Sequence, residues 1–390
     1  GRKMVWMDYN ATTPCDKRVV DQMLPYFSDK FANASSIYLP AREAKKAVEQ
    51  ARGNVASLLG CSSDEVFFTS GGTESDNWAI MSTALKLQDK GKHIITSQIE
   101  HHAVLHTCKA LQKRGYEVTY LPVDRYGMID MAQLKKSIRK DTILITIMHA
   151  NNEIGTIQPI EEISCLAKTQ GVLFHTDAVQ TVGKIPFQLK KSGPDMLSLS
   201  AHKLYGPKGI GALYIRKEVS LPPLIYGGGQ ERGRRSGTTN VPAIVGLGKA
   251  AEIAMEEMGK EILNVRKLRD DLEQKIQQSI PEIIVNGHPE SRLYNTVNVC
   301  IKYIEGESIL LSLDFEGICA SSGSACTSGS LEPSHVLLAI GLPHEVAHGS
   351  LRLSLGRYNT TEDVDKVVSV LPGIVERLRQ ISPYWQDRKQ

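Results

Sequence analysis

The sequence predicts an α/β protein with a large domain built on a mostly parallel, mixed sheet and a smaller α/β domain. Short apolar runs alternate with helical stretches over about 41–215, a pattern typical of a sheet covered by helices on both faces. The chain of 390 residues is too long for one small module, and after Gly248 the alternation gives way to a long charged helical pattern. We expect a large domain at 15–250 and a small domain at 251–390, with the segment 1–14 packing on the small domain.

Individual elements of the large domain follow from periodicity and from turn residues. A helix is expected at Ala41–Leu59, because apolar residues recur at helical spacing and Gly60 follows as a stop signal. Further helices are expected from the Gly-rich turn after Thr69 to about Leu87 and at Ile160–Thr169. Short apolar runs indicate buried strands: Val66–Thr69, His93–Ser97, Glu117–Leu121, Thr142–Met148, Val172–Thr176, Met196–Leu199 and Ile210–Ile215.

The small domain is expected to contain two long amphipathic helices, at Lys249–Ser279 and about Thr361–Leu378. The second follows Thr-Thr-Glu-Asp, which suits a helix N-terminus because hydroxyls cap it and carboxylates favour the positive end of the dipole. Strands are expected at three places: Thr296–Ile301, Ile318–Ala320 and Ser350–Leu355.

Composition excludes several classes of protein. Hydrophobic residues make up 41% and charged residues 23% of the chain, which is typical of a globular protein and argues against disorder. The formal net charge of +3 gives no sign of nucleic-acid or membrane-surface binding. No apolar run approaches the roughly 20 residues of a membrane-spanning helix, and Gly1–Met4 opens no secretory pattern. We therefore expect a cytoplasmic protein with neither a nucleic-acid nor a membrane partner.

The cysteines and histidines do not predict a metal site. Seven cysteines are widely spaced without a CxxC pair, which argues against a disulfide framework and against structural zinc. His344 and His348 stand at helical spacing, but no carboxylate motif supports them as ligands. Most of the cysteines are expected to be small buried residues in a reducing compartment.

A Gly-rich turn between a strand and a helix is the first signal of chemistry. In Ser70–Ser75, with the sequence SGGTES, glycines let the backbone approach an anion, and Thr73 and Ser75 offer hydroxyls at a helix start. A plain tight turn is the alternative. The segment is neither a Walker A loop nor a dinucleotide-binding GxGxxG motif.

Two further signals stand at strand ends. Asp177 follows an apolar strand, at the edge where open α/β sheets bind ligands, although it could simply cap the next helix. Lys203 closes the next strand, where desolvation would favour a neutral amine able to form a Schiff base, although most single lysines lie on the surface. An anion cradle, a carboxylate and a strand-end lysine together match the needs of pyridoxal 5'-phosphate, which uses a Lys Schiff base and an acidic partner for its ring nitrogen.

The chain resembles the NifS/IscS-like cysteine desulfurases, a branch of the class V aminotransferase family with the fold type I architecture of enzymes that depend on pyridoxal phosphate. The resemblance runs nearly end to end, from DYNATTP at 8–14 to RLSLGR at 352–357. Between them lie seven specific motifs: SGGTES at 70–75, EHHAV at 100–104, ANNEIGTIQP at 150–159, HTDAVQ at 175–180, SAHKLYGPKGIG at 200–211, GGGQERGRRSGT at 227–238 and SSGSACTSGSLEPSHVL at 321–337.

This resemblance implies a role for each matching residue. Eight side chains would contact the cofactor. Lys203 would form the covalent link, Asp177 would pair with the pyridine nitrogen, Gln180 would bond the ring hydroxyl, and His101 would stack on the ring and could shuttle protons. Thr73, Ser200 and His202 would hold the phosphate, and Asn152 would lie beside the ring or the substrate. Thr238 would reach the phosphate of a neighbouring subunit, which implies a homodimer. Arg352 would bind the carboxylate of the substrate, a task suited to a planar two-pronged donor.

Cys326 differs from the other cysteines in its surroundings. The residues 321–330 around it are almost all small and polar, so they cannot form a core and predict a mobile, exposed loop. The family resemblance implies that Cys326 attacks the sulfur of L-cysteine, giving L-alanine and a persulfide that passes to an iron–sulfur scaffold protein or another sulfur acceptor. A free thiol has a pKa of about 8.5, and no basic residue adjoins Cys326, so activation must come from the fold.

Three alternatives remain at this stage. A selenocysteine lyase or another pyridoxal phosphate β-lyase would keep Lys203 and Asp177 and differ at Cys326. A non-catalytic scaffold would leave the cofactor site unused, and a nicotinamide-dependent oxidoreductase lacks its fingerprint. One departure from the family pattern affects the substrate entrance, where Tyr38 and Pro40 replace the usual His and Gly.

Overall fold

A computed structural model describes residues 3–322 and 332–388. The strands, in chain order, are β1 Val5–Trp6, β2 Val66–Thr69, β3 His93–Ser97, β4 Glu117–Leu121, β5 Thr142–Thr146, β6 Leu173–Asp177, β7 Met196–Ser200, β8 Gly211–Ile215, β9 Ile283–Val285, β10 Thr296–Ile301, β11 Ile318–Cys319 and β12 Ser350–Ser354. The helices are α1 Lys17–Met23, α2 Pro25–Ser28, α3 Leu39–Leu59, α4 Gly72–Lys86, α5 His102–Gln112, α6 Met131–Ser137, α7 Ile160–Thr169, α8 Gln230–Gly233, α9 Val241–Ser279, α10 Gly306–Phe315, α11 His335–Ala339, α12 His344–Ala347, α13 Thr361–Gln380 and α14 Pro383–Asp387.

The large sheet positions the candidate site. Within the described ranges it has seven strands in the order β2-β8-β7-β6-β5-β3-β4. Strand β8 runs antiparallel to its neighbours β2 and β7, and the other pairings are parallel. Strands β2, β6 and β7 therefore end at the same edge of the sheet, and this edge is where open α/β sheets bind ligands. The expected α/β class with a mostly parallel, mixed sheet is confirmed.

The second part of the chain forms its own smaller sheet. Strands β12, β10 and β9 pair antiparallel, and a separate parallel pair joins β1 to β11. Val5 and Met7 lie in the same apolar core as this smaller sheet, so the N-terminal segment packs beside it. The long helix α9 contributes its first half to the core of the large sheet and its second half to this second core. A domain boundary at 250/251, inside this helix, stays a prediction.

Close packing between α3 and α9 depends on Gly248. A Cβ atom on Gly248 would lie 2.5 Å from the Cα of Ala51, closer than side chains tolerate. Glycine at this position lets the two helices approach at their backbones, and this contact fixes α3 against the large sheet.

Helix α9 starts earlier than the sequence predicts, whereas helix α3 ends where it is expected to end. Helix α9 begins at Val241, eight residues before the expected start, because the Asn240 side chain accepts a hydrogen bond from the N–H of Ala243 and a proline stands in the first turn. Helix α3 ends at Leu59, as expected, and Gly60 follows it in the left-handed conformation, with φ of 65°. Tyr38 is the residue that precedes α3, and Pro40 lies in the first turn, where the missing N–H has no helical partner to lose.

Candidate active site

A cavity of about 330 Å³ opens where β2, β6 and β7 end. Nine of the residues that the sequence suggests for a cofactor and substrate site line it: Thr73, His101, Asn152, Asp177, Gln180, Ser200, His202, Lys203 and Arg352. These residues come from distant parts of the chain. The topology brings them together because the parallel strands and their following loops share one edge.

Lys203 ends a short 3₁₀ turn, Ala201–Lys203, directly after β7. Its Nζ donates hydrogen bonds to the backbone carbonyls of Asn10 and Ala11, the latter at 2.9 Å. Burial, followed by the nearby positive charge of Lys184, lowers the pKa of this amine to about 7. A substantial fraction of Lys203 is therefore neutral at neutral pH, which is the nucleophilic form of an amine.

Asp177 stands at the last position of β6 and is 6% exposed. Its Oδ1 accepts a hydrogen bond from the N–H of Val179 at 3.0 Å. The buried carboxyl of Asp76 interacts with it directly, and burial together with the charge of Asp177 raises the pKa of Asp76 well above its ordinary value. Burial therefore favours the protonated form of Asp76, which lies beside Asp177 at the base of the cavity.

His175 supports this carboxyl pair from two positions before Asp177 on β6. Its Nε2 lies 3.5 Å from Asp76 Oδ1 and 2.8 Å from Ser198 Oγ, while its Nδ1 lies 2.8 Å from Thr146 Oγ1. Burial lowers the pKa of His175 to about 4, so the ring is neutral and does not cancel the charge of the pair. The ring thus fixes the geometry of the site without changing its net charge.

The anion cradle lies at the N-terminus of the fifteen-residue helix α4. Gly72 lines the cavity, and a Cβ atom there would lie 2.8 Å from Val179 Cγ2, so glycine keeps this end of the helix open. Thr73 faces the cavity as expected. Ser75 does not line the cavity, because its hydroxyl is buried and hydrogen-bonded to Thr69 Oγ1 at 2.7 Å. The expectation that Ser75 adds a hydroxyl to the cradle is therefore wrong.

Two side chains on the cavity wall have one polar group engaged and another available. Gln180 donates from Nε2 to the carbonyl of Asn10 at 3.1 Å, and its Oε1 is buried without a partner among the described residues. Nδ1 of His202 lies 2.9 Å from Thr12 Oγ1, which fixes the orientation of the ring beside Lys203. An unpaired buried acceptor such as Gln180 Oε1 is costly unless a ligand donates to it.

Arg352 lies on the opposite wall and is held from two sides. Its Nη2 donates to Asp8 Oδ1 at 2.8 Å and its Nη1 to the carbonyl of Asn152 at 3.0 Å. Its Nε is buried and has no hydrogen-bond partner in the part of the chain that the structure describes. A guanidinium fixed in this way, with a donor still free, suits the binding of a small carboxylate.

His101 is the residue before helix α5, and its Nδ1 accepts a hydrogen bond from the N–H of Ala103 at 3.0 Å. The side chain is exposed toward the cavity opening. His102 packs behind it, with ring centroids 4.9 Å from those of both His106 and His335. Of these histidines, His101 is the one among the residues that line the cavity.

Two expected site residues are not among those that line the cavity. Thr238 is exposed and lies outside its own chain's cavity. Cys326 lies outside the described residues. Before that segment, Ser321 pairs through its backbone with Arg352 of the cavity. After it, Ser334 donates a hydrogen bond to the carboxylate of Glu153, the residue that follows Asn152.

Sequence reasoning missed three contributors to the site: Asp8, Asp76 and the backbone carbonyls at 10–11. Asp8 stands within the N-terminal motif DYNATTP, yet its contact with Arg352 spans 344 residues and left no local signal. Asp76 directly follows the Gly-rich motif on α4. Its helical spacing from Gly72 and Thr73 was the sequence signal that could have placed it on the cavity side of that helix.

The described part of the chain contains no helix long and apolar enough to span a membrane. Within the same residues, no group of three or more His, Cys, Asp or Glu side chains is arranged to hold a metal ion.

Comparison with known proteins places the whole chain in one group. The family model for class-V aminotransferases matches residues 5–367. The cysteine desulfurase IscS of Methanosarcina thermophila is 59% identical over 381 residues, which are 98% of this chain and 94% of that relative. Among solved structures, a NifS-like protein has a TM-score of 0.91 at 42% identity and covers 96% of this chain and 100% of its own. SspA in complex with cysteine has a TM-score of 0.80 at 41% identity, with coverage of 91% and 99%.

Proposed function

The chain belongs to the class-V aminotransferase family, and from this premise we propose that it is a cysteine desulfurase that uses pyridoxal 5'-phosphate. The single observation that carries the proposal is the convergence of nine expected residues on one cavity. A relative with cysteine bound, SspA, supports an amino acid of this size and chemistry as the substrate. We propose L-cysteine as substrate, with L-alanine and a protein persulfide as products.

The residues present fit pyridoxal phosphate. The helix α4 end, kept open by Gly72, offers N–H groups and a positive dipole end to a phosphate. The orphaned Oε1 of Gln180 suits a ring hydroxyl as donor. The carboxyl of Asp177 would pair with the ring nitrogen, and Lys203 would supply the amine for the aldehyde. When bound, the cofactor supplies an electron sink for the bonds of the substrate's α-carbon.

Each side chain then performs a task set by its surroundings. Arg352 binds and orients the carboxylate of the substrate. Lys203, with a pKa near 7, is suited to accept and return a proton at the α-carbon. His101 would stack on the face of the cofactor ring and could shuttle protons, as the family resemblance implies.

Cys326 is proposed as the nucleophile on the sequence pattern around it. Its thiolate attacks the sulfur of the substrate, so that an S–S bond forms while the bond between that sulfur and the β-carbon breaks. The electron pair of the broken bond remains with the carbon fragment, which takes up a proton and leaves as alanine. The terminal sulfur of Cys326 then passes to an acceptor protein, for which we propose a scaffold of iron–sulfur or thio-cofactor synthesis.

We further propose that the functional unit is a homodimer. Seven exposed apolar side chains cluster between α1 and the start of α3: Val20, Leu24, Phe27, Phe31, Ile37, Tyr38 and Leu39. Ile37 is 89% and Phe31 77% exposed, and several large exposed apolar side chains within one short stretch of the chain favour an interaction site there. A second copy of the chain as occupant would also account for Thr238, which lies on the surface and is expected to contact the phosphate in the neighbouring subunit.

Replacement of Cys326 tests the proposed function. Cys326→Ala should bind cofactor normally and lose sulfur release from L-cysteine, because only the nucleophile is removed. Cys165→Ala is the matched control, since Cys165 is exposed on α7 and has no role in the proposal. Alanine and protein-bound persulfide are measured by mass spectrometry. Unchanged sulfur release by Cys326→Ala would refute the role of Cys326 as nucleophile. Failure of the control Cys165→Ala, as well as Cys326→Ala, to form alanine from L-cysteine would refute the proposed desulfurase activity.

A further inference from the structure

A second, smaller cavity lies on the other side of Lys203. Its walls include the side chains of Tyr9, Lys184, Lys203, Glu261 and Tyr294. The space inside is about 10 Å³, roughly that of one water molecule. Two lysines, 19 positions apart in sequence, therefore border one enclosed space behind the cofactor-binding amine.

Lys184 is buried there without a partner. Its Nζ is inaccessible to solvent and has no hydrogen-bond acceptor among the described residues. Glu261 is the carboxylate that acts on it through space, but Glu261 is already paired with Arg357, whose Nε and Nη2 both lie 3.3 Å from Oε2. Burial lowers the pKa of Lys184 to about 8, so the group still carries a positive charge at neutral pH.

A buried, unpaired charge of this kind lowers the stability of the folded state. Removing an ammonium group from water without a paired anion or hydrogen bonds is unfavourable, and a neutral side chain of the same length would fill the space at lower cost. Lys184 is therefore difficult to explain as a stabilising residue. A destabilising buried charge next to a reactive amine is typical of a functional site, where a residue is kept for activity although it lowers stability.

The charges that act on Lys203 come from several elements. Lys184 and Arg352 are positive and Asp8 and Asp177 negative, and Lys184 exerts the largest effect of the four. We propose that Lys184 is a positioning residue that acts through Lys203: its buried charge, across the shared cavity, keeps the nitrogen of Lys203 unprotonated. This proposal rests on the proposed function, because it assigns Lys203 to the cofactor.

The test compares charge at constant size. Lys184→Met removes the charge and keeps the length, Lys184→Arg keeps the charge, and Lys190→Met is the control at an exposed lysine. The holoenzyme of each is titrated with pH while the absorbance of the bound cofactor reports protonation of the Lys203 nitrogen. Removal of a nearby positive charge favours the protonated form, so the midpoint should rise by about one unit in Lys184→Met and stay within about 0.3 unit in the other two variants.

Thermal unfolding of the same proteins separates this role from a structural one. We expect Lys184→Met to melt at the wild-type temperature or above it, because a buried unpaired charge is gone. An unchanged midpoint in Lys184→Met, or an equal rise in Lys184→Arg, would overturn the proposal. Lys184→Gln serves as a second neutral variant if the Met protein does not fold. Failure of the proposed function would appear differently, as a wild-type protein without a cofactor band that titrates.

Discussion

Asp8 and Arg352 form a part-buried ion pair that joins the N-terminal segment to β12, with 2.8 Å between Oδ1 and Nη2. Ser321 also donates to the same carboxylate oxygen, at 2.7 Å. Asp8 is therefore the group that orients the proposed substrate-binding guanidinium, although it does not itself line the cavity.

This relationship predicts unequal effects of two substitutions on substrate binding. Arg352→Lys should raise KM for L-cysteine by about ten- to a hundredfold, because a bidentate charge-assisted contact worth roughly 1.5–3 kcal/mol is lost. Asp8→Asn keeps the shape and loses the charge, so its rise in KM should be smaller, about tenfold or less. Steady-state kinetics measure both, with Asp89→Asn as an exposed control. A larger effect from Asp8→Asn than from Arg352→Lys would contradict this order.

The two carboxyls at the base of the cavity should respond differently to neutralisation. Burial raises the pKa of Asp76 and favours its protonated form, so Asp76→Asn should change activity by no more than about threefold. Asp177→Asn removes the negative charge that faces the cofactor and should lower kcat by about a hundredfold or more. The comparison is made on holoenzymes at matched cofactor occupancy. Equal losses in both variants would show that the charge is shared rather than held on Asp177.

Much of this site could be predicted because its chemistry sits in short local motifs. Asp177 ends a strand, and Lys203 and Thr73 each follow a strand within a few residues. The carboxyl edge of the sheet therefore brings all three together once the strands are recognised. The resemblance to cysteine desulfurases then supplied roles for residues such as Gln180 and Arg352, whose contacts have no local signature.

The parts that sequence reasoning missed depend on tertiary contacts. Ser75 lies in the same motif as Thr73, but the helical turn between them directs its hydroxyl to Thr69 and into the core. The early start of α9 follows from the Asn240 cap and Pro242; the residues 241–248 are buried almost throughout and so show no amphipathic helical period in the sequence. Lys184 has no distinguishing neighbour in sequence, and only the enclosed cavity behind Lys203 reveals it.

Glu100 should make the stability of the protein depend on pH. Burial raises its pKa from 4.5 to about 8, while Ser97 and the N–H of Met148 donate to its carboxyl group. Between these values the folded state holds a proton that the unfolded chain releases, so stability falls as pH rises from about 4.5 to about 8. Its contribution to the slope of the unfolding free energy is at most about 1.4 kcal/mol per pH unit.

Glu100→Gln should flatten this dependence, since the neutral amide does not titrate. Denaturant unfolding at fixed protein concentration from pH 5 to pH 8 measures it, with Glu256→Gln as the exposed control. A Glu100→Gln protein whose stability falls over this range as steeply as the wild type would contradict the assignment.

The exposed apolar cluster between α1 and α3 predicts the oligomeric state. Phe31→Glu combined with Ile37→Glu should convert a dimer into monomers, because two charges would be buried in an apolar interface. The same variant should bind cofactor more weakly, through loss of the partner subunit's Thr238. Ile381→Glu, at a distant exposed position, should change neither property. Sedimentation velocity and cofactor titration measure both, and a dimeric double variant would exclude this surface as the interface.

The covalent link between Lys203 and the cofactor is the central claim, and reduction with borohydride tests it most directly. The reduced holoenzyme is digested, and the peptide that carries the pyridoxyl mass is identified by mass spectrometry. We predict the label on the peptide that contains Lys203, in a stoichiometry near one per chain. Label on Lys184, Lys208 or another lysine, or no label at all, would contradict the account.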